Sequence, residues 1–161
     1  MSPELVLDTT ALIALARLDL LEAVGDRLGR LVVPAAVFEE AVAGDRPGAA
    51  PVRRAVDAGS VRVAAPAETA SAGELRLGPG EAAAIALATT LDAIIVLDDR
   101  DARRVAGRRG VPLTGTVAIL VRLKQLGAIP SVRAHLDALD GFGFRVGAEV
   151  RAWALETSGE A

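Results

Sequence analysis

Acidic residues follow two apolar runs of the chain, at points where their oxygen atoms could work together as ligands. Asp8 comes directly after the apolar residues 5–7. In the same way, Asp98 and Asp99 come directly after the apolar residues 94–97. If both runs are parallel strands, their carboxyl ends lie at one edge of a sheet, which is where open α/β sheets bind ligands. We therefore expect these acids to share a crevice.

Two further acids can reach that edge from helices. Glu40 lies one to two helical turns after the apolar residues 31–33, behind Pro34, which suits the first turn of a helix. Glu81 opens an alanine-rich segment at residues 80–88 and is the only charge near its start. A lone carboxylate on so apolar a helix requires a specific explanation.

Each acid also has a purely structural explanation. Asp8 could cap the following helix by accepting a hydrogen bond from the backbone of Thr10 or Ala11. Glu81 could complement the helix dipole, an effect of a few tenths to about 1 kcal/mol. Glu40 could belong to a solvated helix face, which is the better account of its neighbour Glu39.

Asp98 and Asp99 have a structural explanation of the same kind. They could be turn residues, with Asp101 as the cap of the next helix.

Together, the acids point to a cation. Two carboxylates about 5 Å apart repel by roughly 3 kcal/mol at an effective dielectric constant of about 20. Several acids in one crevice must therefore either be partly protonated or surround a cation. Oxygen ligands without Cys or His suit a hard ion, so Mg²⁺ or Mn²⁺ is expected. Such an ion can activate water and stabilise charge on phosphorus oxygens, which is the chemistry of phosphodiester cleavage.

The rest of the chain alternates between strand and helix patterns. Short runs rich in β-branched residues indicate strands. They are residues 5–7, 31–33, 61–63 and 94–97. Helical spacing is found at residues 80–88, 116–126, 131–139 and 147–156. Loops are expected at residues 44–48 and 64–80, and residues 157–161 are expected to fray. This alternation predicts an α/β fold with a parallel sheet and helices on both faces.

Composition limits the class of protein. The 161 residues suit one domain, and 52% of them are hydrophobic, so a globular core is expected. The chain has no cysteine and a single histidine, His135, which excludes a disulfide framework and a thiolate zinc site. No signal peptide or membrane span fits the first residues. We therefore expect a cytoplasmic protein that does not associate with a membrane.

Basic residues are concentrated in one segment although the net charge is −3. Seventeen of the eighteen are Arg, and five of these lie between residues 100 and 109. Arg100, Arg104 and Arg108 are spaced to share one helix face, where they could contact phosphates or simply be solvated. Aromatic residues make up only 2% of the chain, so few side chains are available to stack on the bases of a nucleic acid.

Four segments, in this order, resemble the PIN-domain family. They are residues 6–13 (VLDTTALI), 33–40 (VPAAVFEE), 80–88 (GEAAAIALA) and 96–103 (VLDDRDAR). Residues 113–120 (LTGTVAIL) are similar to a branch of largely uncharacterised prokaryotic PIN-like proteins. The resemblance implies a three-layer α/β/α sandwich over residues 1–161 and a Mg²⁺- or Mn²⁺-dependent ribonuclease.

The resemblance also assigns roles to residues. Asp8, Glu40, Glu81 and Asp99 would be the four acids that bind metal and act in catalysis. The third is Glu where many toxin members of the family have Asp, so the arm is one methylene longer.

Further residues receive supporting roles. Thr10 matches a hydroxyl position that supports the first acid, and Asp98 and Asp101 flank the fourth. Many members are toxins of toxin–antitoxin pairs, held inactive by a small antitoxin protein and often homodimeric. RNA, an antitoxin and a second copy are therefore the implied partners.

Two other classes of function remain open at this point. A PIN-like binding or scaffold module could keep these acids with little or no turnover. A haloacid-dehalogenase-like phosphatase also has Asp after its first strand, but its second Asp would fall at Thr10. The only lysine, Lys124, lies in the middle of an expected helix. A receiver domain fails for similar reasons.

Overall fold

A parallel sheet forms the centre of the computed structural model, which describes residues 3–65 and 77–161. Its strands are β1 (Glu4–Leu7), β2 (Arg30–Val33), β3 (Val61–Val63), β4 (Ile94–Val96) and β5 (Leu113–Thr114). They are ordered β3-β2-β1-β4-β5, and every pairing is parallel. Val6 of β1 lies between Val32 of β2 and Ile95 of β4. The central strand β1 therefore carries its last residue to the middle of the carboxyl edge.

Helices connect the strands and cover the sheet. They are α1 (Thr9–Arg17), α2 (Leu21–Arg27), α3 (Ala35–Val42), α4 (Ala49–Asp57), α5 (Pro79–Leu91), α6 (Arg100–Arg108), α7 (Thr116–Gln125), α8 (Val132–Gly141) and α9 (Ala148–Thr157). The three apolar residues of β1 are almost completely buried because both sheet faces are covered. The expected three-layer α/β/α architecture is confirmed. Among the described residues, no helix is both long and apolar enough to cross a membrane.

The four expected strands are present, and a fifth was not foreseen. β5 has only two residues and directly follows Pro112, so it lacks the apolar run by which the others were found. It is nevertheless paired, because the backbone N–H of Leu97 donates to the carbonyl of Thr114 at 2.9 Å.

The expected helices are also present, with small differences at their ends. α5 begins at Pro79, before the expected start, because proline is well tolerated at the first helical position. The loop at residues 44–48 is confirmed between α3 and α4. Most of the loop expected at residues 64–80 lies outside the described residues.

The expected fraying of residues 157–161 is wrong. Glu160 accepts hydrogen bonds from the backbone N–H groups of Val132 (2.7 Å) and Arg133 (3.1 Å), and pairs with Lys124 at 2.9 Å. Burial would raise the pKa of Glu160, but these donors outweigh it and lower the pKa to about 2. The carboxylate thereby ties the end of the chain to the start of α8.

Candidate functional site

The carboxyl ends of the two central strands bring three acids together. Asp8 directly follows β1, and its backbone N–H donates to the carbonyl of Val96 at 3.4 Å, which extends the β1–β4 pairing. Asp98 and Asp99 follow β4 after one further residue. The three acids therefore lie at one edge of the sheet, as their positions in the sequence indicated.

Asp8 is a buried carboxylate, with 2% of its surface exposed. Burial raises its pKa from 3.8 to about 7, opposed by a hydrogen bond from the N–H of Ala11. The charges of Asp98, Glu81 and Asp99 raise the pKa further, so these carboxyl groups lie close to it. The N–H of Ala11 donates to Oδ1 at 2.8 Å, so Asp8 is also the N-cap of α1.

Glu81 enters the same group of acids from the first turn of α5. Its pKa is raised by burial, and the charges of Asp99, Glu40 and Asp101 add to this effect. Its Oε1 accepts a hydrogen bond from the N–H of Gly78 at 3.3 Å, which ties it to the residue just before the helix. Glu81 therefore stabilises the helix start, and its carboxyl group remains within the electrostatic influence of the other acids.

Glu40 connects three helices through both of its oxygens. The hydroxyl of Thr9 donates to Oε2 at 2.8 Å, and the N–H of Gly80 donates to Oε1 at 3.0 Å. These bonds join α3 to the first turns of α1 and α5. A solvated role for Glu40 is wrong, because its carboxylate is half-buried and bound at both oxygens.

Asp98 is held in a comparable way. The hydroxyl of Thr116 donates to Oδ2 at 2.6 Å, and the N–H of Thr116 donates to Oδ1 at 2.9 Å. Thr116 is fully buried at the start of α7. Nearby, Arg103 donates to the carbonyls of Leu97 (2.7 Å) and Thr114 (3.3 Å). These contacts fix the segment after β4 against β5 and α7.

Asp99 caps α6. Its Oδ2 accepts a hydrogen bond from the N–H of Ala102 at 2.9 Å, in the extended backbone conformation of an N-cap. The alternative in which Asp101 caps this helix is wrong, because the helix begins at Arg100, two residues earlier than a cap at Asp101 would require. Asp101 lies in the first turn, is exposed, and forms a 3.6 Å ion pair with Arg104.

We call the five acids at this edge of the sheet the acidic edge, and they fall into two groups. Its members are Asp8, Glu40, Glu81, Asp98 and Asp99. In Glu40 and Asp98 both oxygens accept hydrogen bonds. In Asp8, Glu81 and Asp99 one oxygen does so, and the other has no hydrogen-bond donor among the described residues. The second group therefore has oxygens available to a ligand.

Thr9 rather than Thr10 supports an acid in this structure. Thr10 is exposed, and its hydroxyl makes no hydrogen bond within the part of the chain that the structure describes. Thr116 and Gly80, which also hold acids in place, were not predicted as supporting residues. Thr116 lies in the segment LTGTVAIL, and Gly80 lies in GEAAAIALA, so both belong to segments that were singled out without a role being given to these residues.

The three arginines expected on one helix face are exposed on α6, directly after the Asp99 cap. They are Arg100, Arg104 and Arg108. Arg103 of the same helix is half-buried and bound to backbone carbonyls. Contact of the exposed arginines with a substrate remains a prediction.

The acidic edge can be compared with what a metal site requires in the arrangement and chemistry of its ligands. Within residues 3–65 and 77–161, no group of three or more Asp, Glu, His or Cys side chains is arranged to hold a metal ion. The donors have the right chemistry, because all are carboxylates and a hard divalent cation prefers oxygen. The raised pKa values of Asp8 and Glu81 show the electrostatic cost that a cation would relieve. A cation bound by Asp8, Glu81 and Asp99 would therefore need these side chains to rearrange.

The fold and the acidic edge define a class: a three-layer α/β/α protein with carboxylates converging at the carboxyl ends of its central strands. A search of curated proteins found no match to the sequence. The family model described as PIN domain matches residues 4–160, so the chain belongs to the PIN-domain family. PIN domains have a nuclease-type fold and typically use divalent metals.

Substituting Gly80 tests the link between Glu40 and α5. A Cβ at this position would lie 2.9 Å from both Glu40 oxygens and from Oγ1 of Thr9. We expect Gly80→Ala to lower the free energy of unfolding by about 1–3 kcal/mol through overpacking, against the usual advantage of Ala in a helix. Urea unfolding measures this change.

The matched control is Gly107→Ala on α6, where a Cβ would meet nothing within 4 Å. That variant should gain about 0.5–1 kcal/mol from helix propensity. Equal gains in the two variants would contradict the close approach at Gly80.

Proposed function

We propose that the protein is a Mg²⁺- or Mn²⁺-dependent endoribonuclease that hydrolyses RNA phosphodiester bonds at the acidic edge. The observation that carries the proposal is the convergence of Asp8, Glu81 and Asp99, each with an oxygen available to a ligand. The first two have raised pKa values in a chain of the PIN-domain family. Acids held together at such an electrostatic cost are typical of functional sites.

We assign different roles to the five side chains of the acidic edge. Asp8, Glu81 and Asp99 would hold the divalent ion, which when bound supplies an activated water and stabilises charge on the phosphate. Glu40 holds the starts of α1 and α5 together, and so fixes Asp8 relative to Glu81. Asp98 is bound to Thr116 and fixes the backbone before Asp99.

The arginines on α6 supply the opposite charge. Arg100, Arg104 and Arg108 begin directly after Asp99 and extend along an exposed surface. We propose that they bind phosphates of the RNA on either side of the bond that is cut, since guanidinium groups match phosphate geometry.

The biological setting is a further part of the proposal. Many PIN-domain nucleases pair with antitoxins, and we propose that this protein is a cytoplasmic toxin held inactive by a small antitoxin, with a homodimer as the working assembly. A small gene immediately upstream that encodes an antitoxin-like protein would support this setting.

Cleavage of RNA tests the activity. We expect the wild type to cut members of a panel of single-stranded and structured RNAs with Mg²⁺ or Mn²⁺ present. The double variant Asp8→Asn, Asp99→Asn should lose on the order of 10³-fold in rate or more, because it removes two charged ligands. Gel analysis of end-labelled RNA measures the rates.

The control for this experiment is the double variant Asp45→Asn, Asp57→Asn, which changes the net charge equally at exposed positions. It should cut like the wild type. If the Asp8→Asn, Asp99→Asn protein cuts as fast as the wild type with Mn²⁺ present, the acidic edge is not the active site.

A binding or scaffold module is the second candidate, favoured by the net charge of −3 and the 2% aromatic content. Under that hypothesis the wild type binds RNA but cuts none of the panel. A phosphatase of the haloacid-dehalogenase type is not proposed. Its lysine would have to lie near the phosphate, whereas Lys124 pairs with Glu160 at 2.9 Å.

A further inference from the structure

A groove of about 220 Å³ lies between α1 and the turn that follows α8. On the α1 side it is lined by Thr10, Ile13 and Arg17, and on the other side by Phe142 and Phe144. The spacing of three, four and seven residues places the α1 members on one stripe of the helix. The groove is thus a defined channel along one face of α1.

Aromatic residues are rare in this chain and are concentrated here. The sequence contains three Phe and one Trp, and two of these four rings line the groove. Phe142 and Phe144 are both half-buried and pack against the edge of the core. The low aromatic content suggested that few side chains are available to stack on nucleobases. The fold nevertheless brings two of the four aromatic rings into this groove.

Arg17 is held over one of these rings. Its Cζ lies 4.1 Å from the centroid of Phe142, and its Nη1 donates to the carbonyl of Phe142 at 3.5 Å. A Cβ at Gly48 would lie 3.3 Å from the Cγ of Arg17, so Gly48 packs closely against the aliphatic part of this side chain. Arg17 forms no ion pair with the described residues. It is therefore a positioned cation that is stacked on an aromatic ring and has no anionic partner within residues 3–65 and 77–161.

The groove begins next to the acidic edge. Thr10 lines it and lies two residues after Asp8. With a rise of 1.5 Å per residue, Arg17 lies seven residues and about 10 Å beyond Thr10 along α1. A strand whose phosphate lies at the acidic edge can therefore place a neighbouring nucleotide in the groove.

We propose that the groove is a nucleobase subsite of this nuclease. The guanidinium plane of Arg17, which is itself stacked on Phe142, and the ring of Phe144 stack one base of a single-stranded RNA, and the charge of Arg17 offsets an adjacent phosphate. Aromatic rings and guanidinium planes are the surfaces on which proteins stack unpaired bases. The identity of the ligand as RNA rests on the proposed function, whereas the stacking surface does not depend on cleavage.

The test compares the effect of substituting Phe142 or Arg17 with the effect of removing one nucleobase from the RNA. Phe142→Leu keeps an apolar side chain but removes the ring on which the Arg17 guanidinium is stacked, and Arg17→Lys keeps the charge but removes the guanidinium plane. Each is measured with a cleavable RNA and with a series in which one nucleotide near the cut site is abasic. We expect each variant to raise KM about tenfold on intact RNA, with kcat unchanged within about twofold.

One abasic position should abolish the effect of the substitutions. RNA that lacks the stacked base should be bound equally by the wild type and Phe142→Leu. The control is Trp153→Leu, which removes an aromatic residue 46% exposed on α9, outside the groove, and should leave KM unchanged. Thermal melting of every variant verifies that it is folded.

A second readout separates this proposal from the proposed function. Single-stranded oligonucleotides carrying 2-aminopurine lose fluorescence when that base stacks, and they report binding without cleavage. If the wild type cuts RNA but the two groove variants match it on every substrate, the subsite is refuted and the nuclease stands. If no RNA is cut but quenching depends on Phe142 and Arg17, the subsite stands and the nuclease proposal fails.

Discussion

Asp8→Asn is expected to stabilise the metal-free protein at pH 8, although it replaces the N-cap of a buried helix. Burial and three neighbouring acids raise the pKa of Asp8 from 3.8 to about 7. The ionised form therefore costs the folded state about 4 kcal/mol, since each unit of pKa corresponds to 1.36 kcal/mol. Asn is an equally good N-cap and carries no charge. We expect a net gain of about 2 kcal/mol or more after allowing for imperfect hydrogen bonds of the amide.

The pH dependence gives the sign of the effect. Between about pH 4 and pH 7 the unfolded chain has released the proton of Asp8 while the folded protein retains it, so stability falls as pH rises. Above pH 7 both states are ionised and the full cost is present. The advantage of Asp8→Asn should therefore be largest near pH 8 and shrink towards pH 4. Urea unfolding in EDTA at a series of pH values measures it.

With a divalent ion present, the wild type should become more stable than Asp8→Asn. A cation that binds only the folded wild type stabilises it by mass action, whereas Asp8→Asn has lost one of the charges that would hold the ion. We expect Mn²⁺ to raise the melting temperature of the wild type and to leave the variant almost unchanged. A variant less stable than the wild type in EDTA at pH 8 would show that Asp8 is chiefly a helix cap.

The structural and functional explanations of these acids turn out to be compatible. The sequence offered a helix cap or a ligand as alternatives for Asp8, and the structure shows how one carboxylate can serve both. Oδ1 accepts the capping hydrogen bond, and Oδ2 has no donor among the described residues. Asp99 repeats the arrangement at α6. A cap fixes the side chain at the end of a strand, which is also what a ligand at that position needs.

The fold was accessible from the sequence because its strands are apolar and its connections leave few choices. A buried parallel strand is apolar throughout, so β1, β2 and β4 can be recognised without knowledge of their neighbours. β5 could not be found in this way, because two residues at a sheet edge are held by pairing with β4 rather than by an apolar run.

The acidic edge was accessible for the same reason, but its internal contacts were not. Parallel connections place the ends of β1 and β4 together, so the proximity of Asp8 to Asp99 follows from topology. The hydrogen bonds of Glu40 depend on how three helices pack, and no spacing in the sequence encodes them. Local pattern thus indicates which acids meet, whereas tertiary packing decides which of their oxygens remain available.

Thr116→Val is expected to lower the free energy of unfolding by about 1.5–3 kcal/mol, the range for a hydrogen bond to a charged group. Thr116 is fully buried, and its hydroxyl donates to Oδ2 of Asp98 at 2.6 Å. Valine has nearly the same shape, so packing is preserved and the loss isolates the hydroxyl. The half-buried carboxylate is then left with one donor, the N–H of residue 116. Urea unfolding at pH 8 measures the change.

A double-mutant cycle determines whether this loss arises from the contact with Asp98. In an Asp98→Asn background the cost of Thr116→Val should fall by at least about 0.5 kcal/mol, because the charge that strengthens the hydrogen bond is gone. The control is Thr114→Val on β5, whose hydroxyl makes no hydrogen bond within the described part of the chain. That substitution should change stability by less than about 0.5 kcal/mol. Costs of Thr116→Val that are equal in both backgrounds would refute the coupling. Coupling at the expected size would show that Asp98 is fixed from α7, whose first residue lies eighteen residues further along the chain.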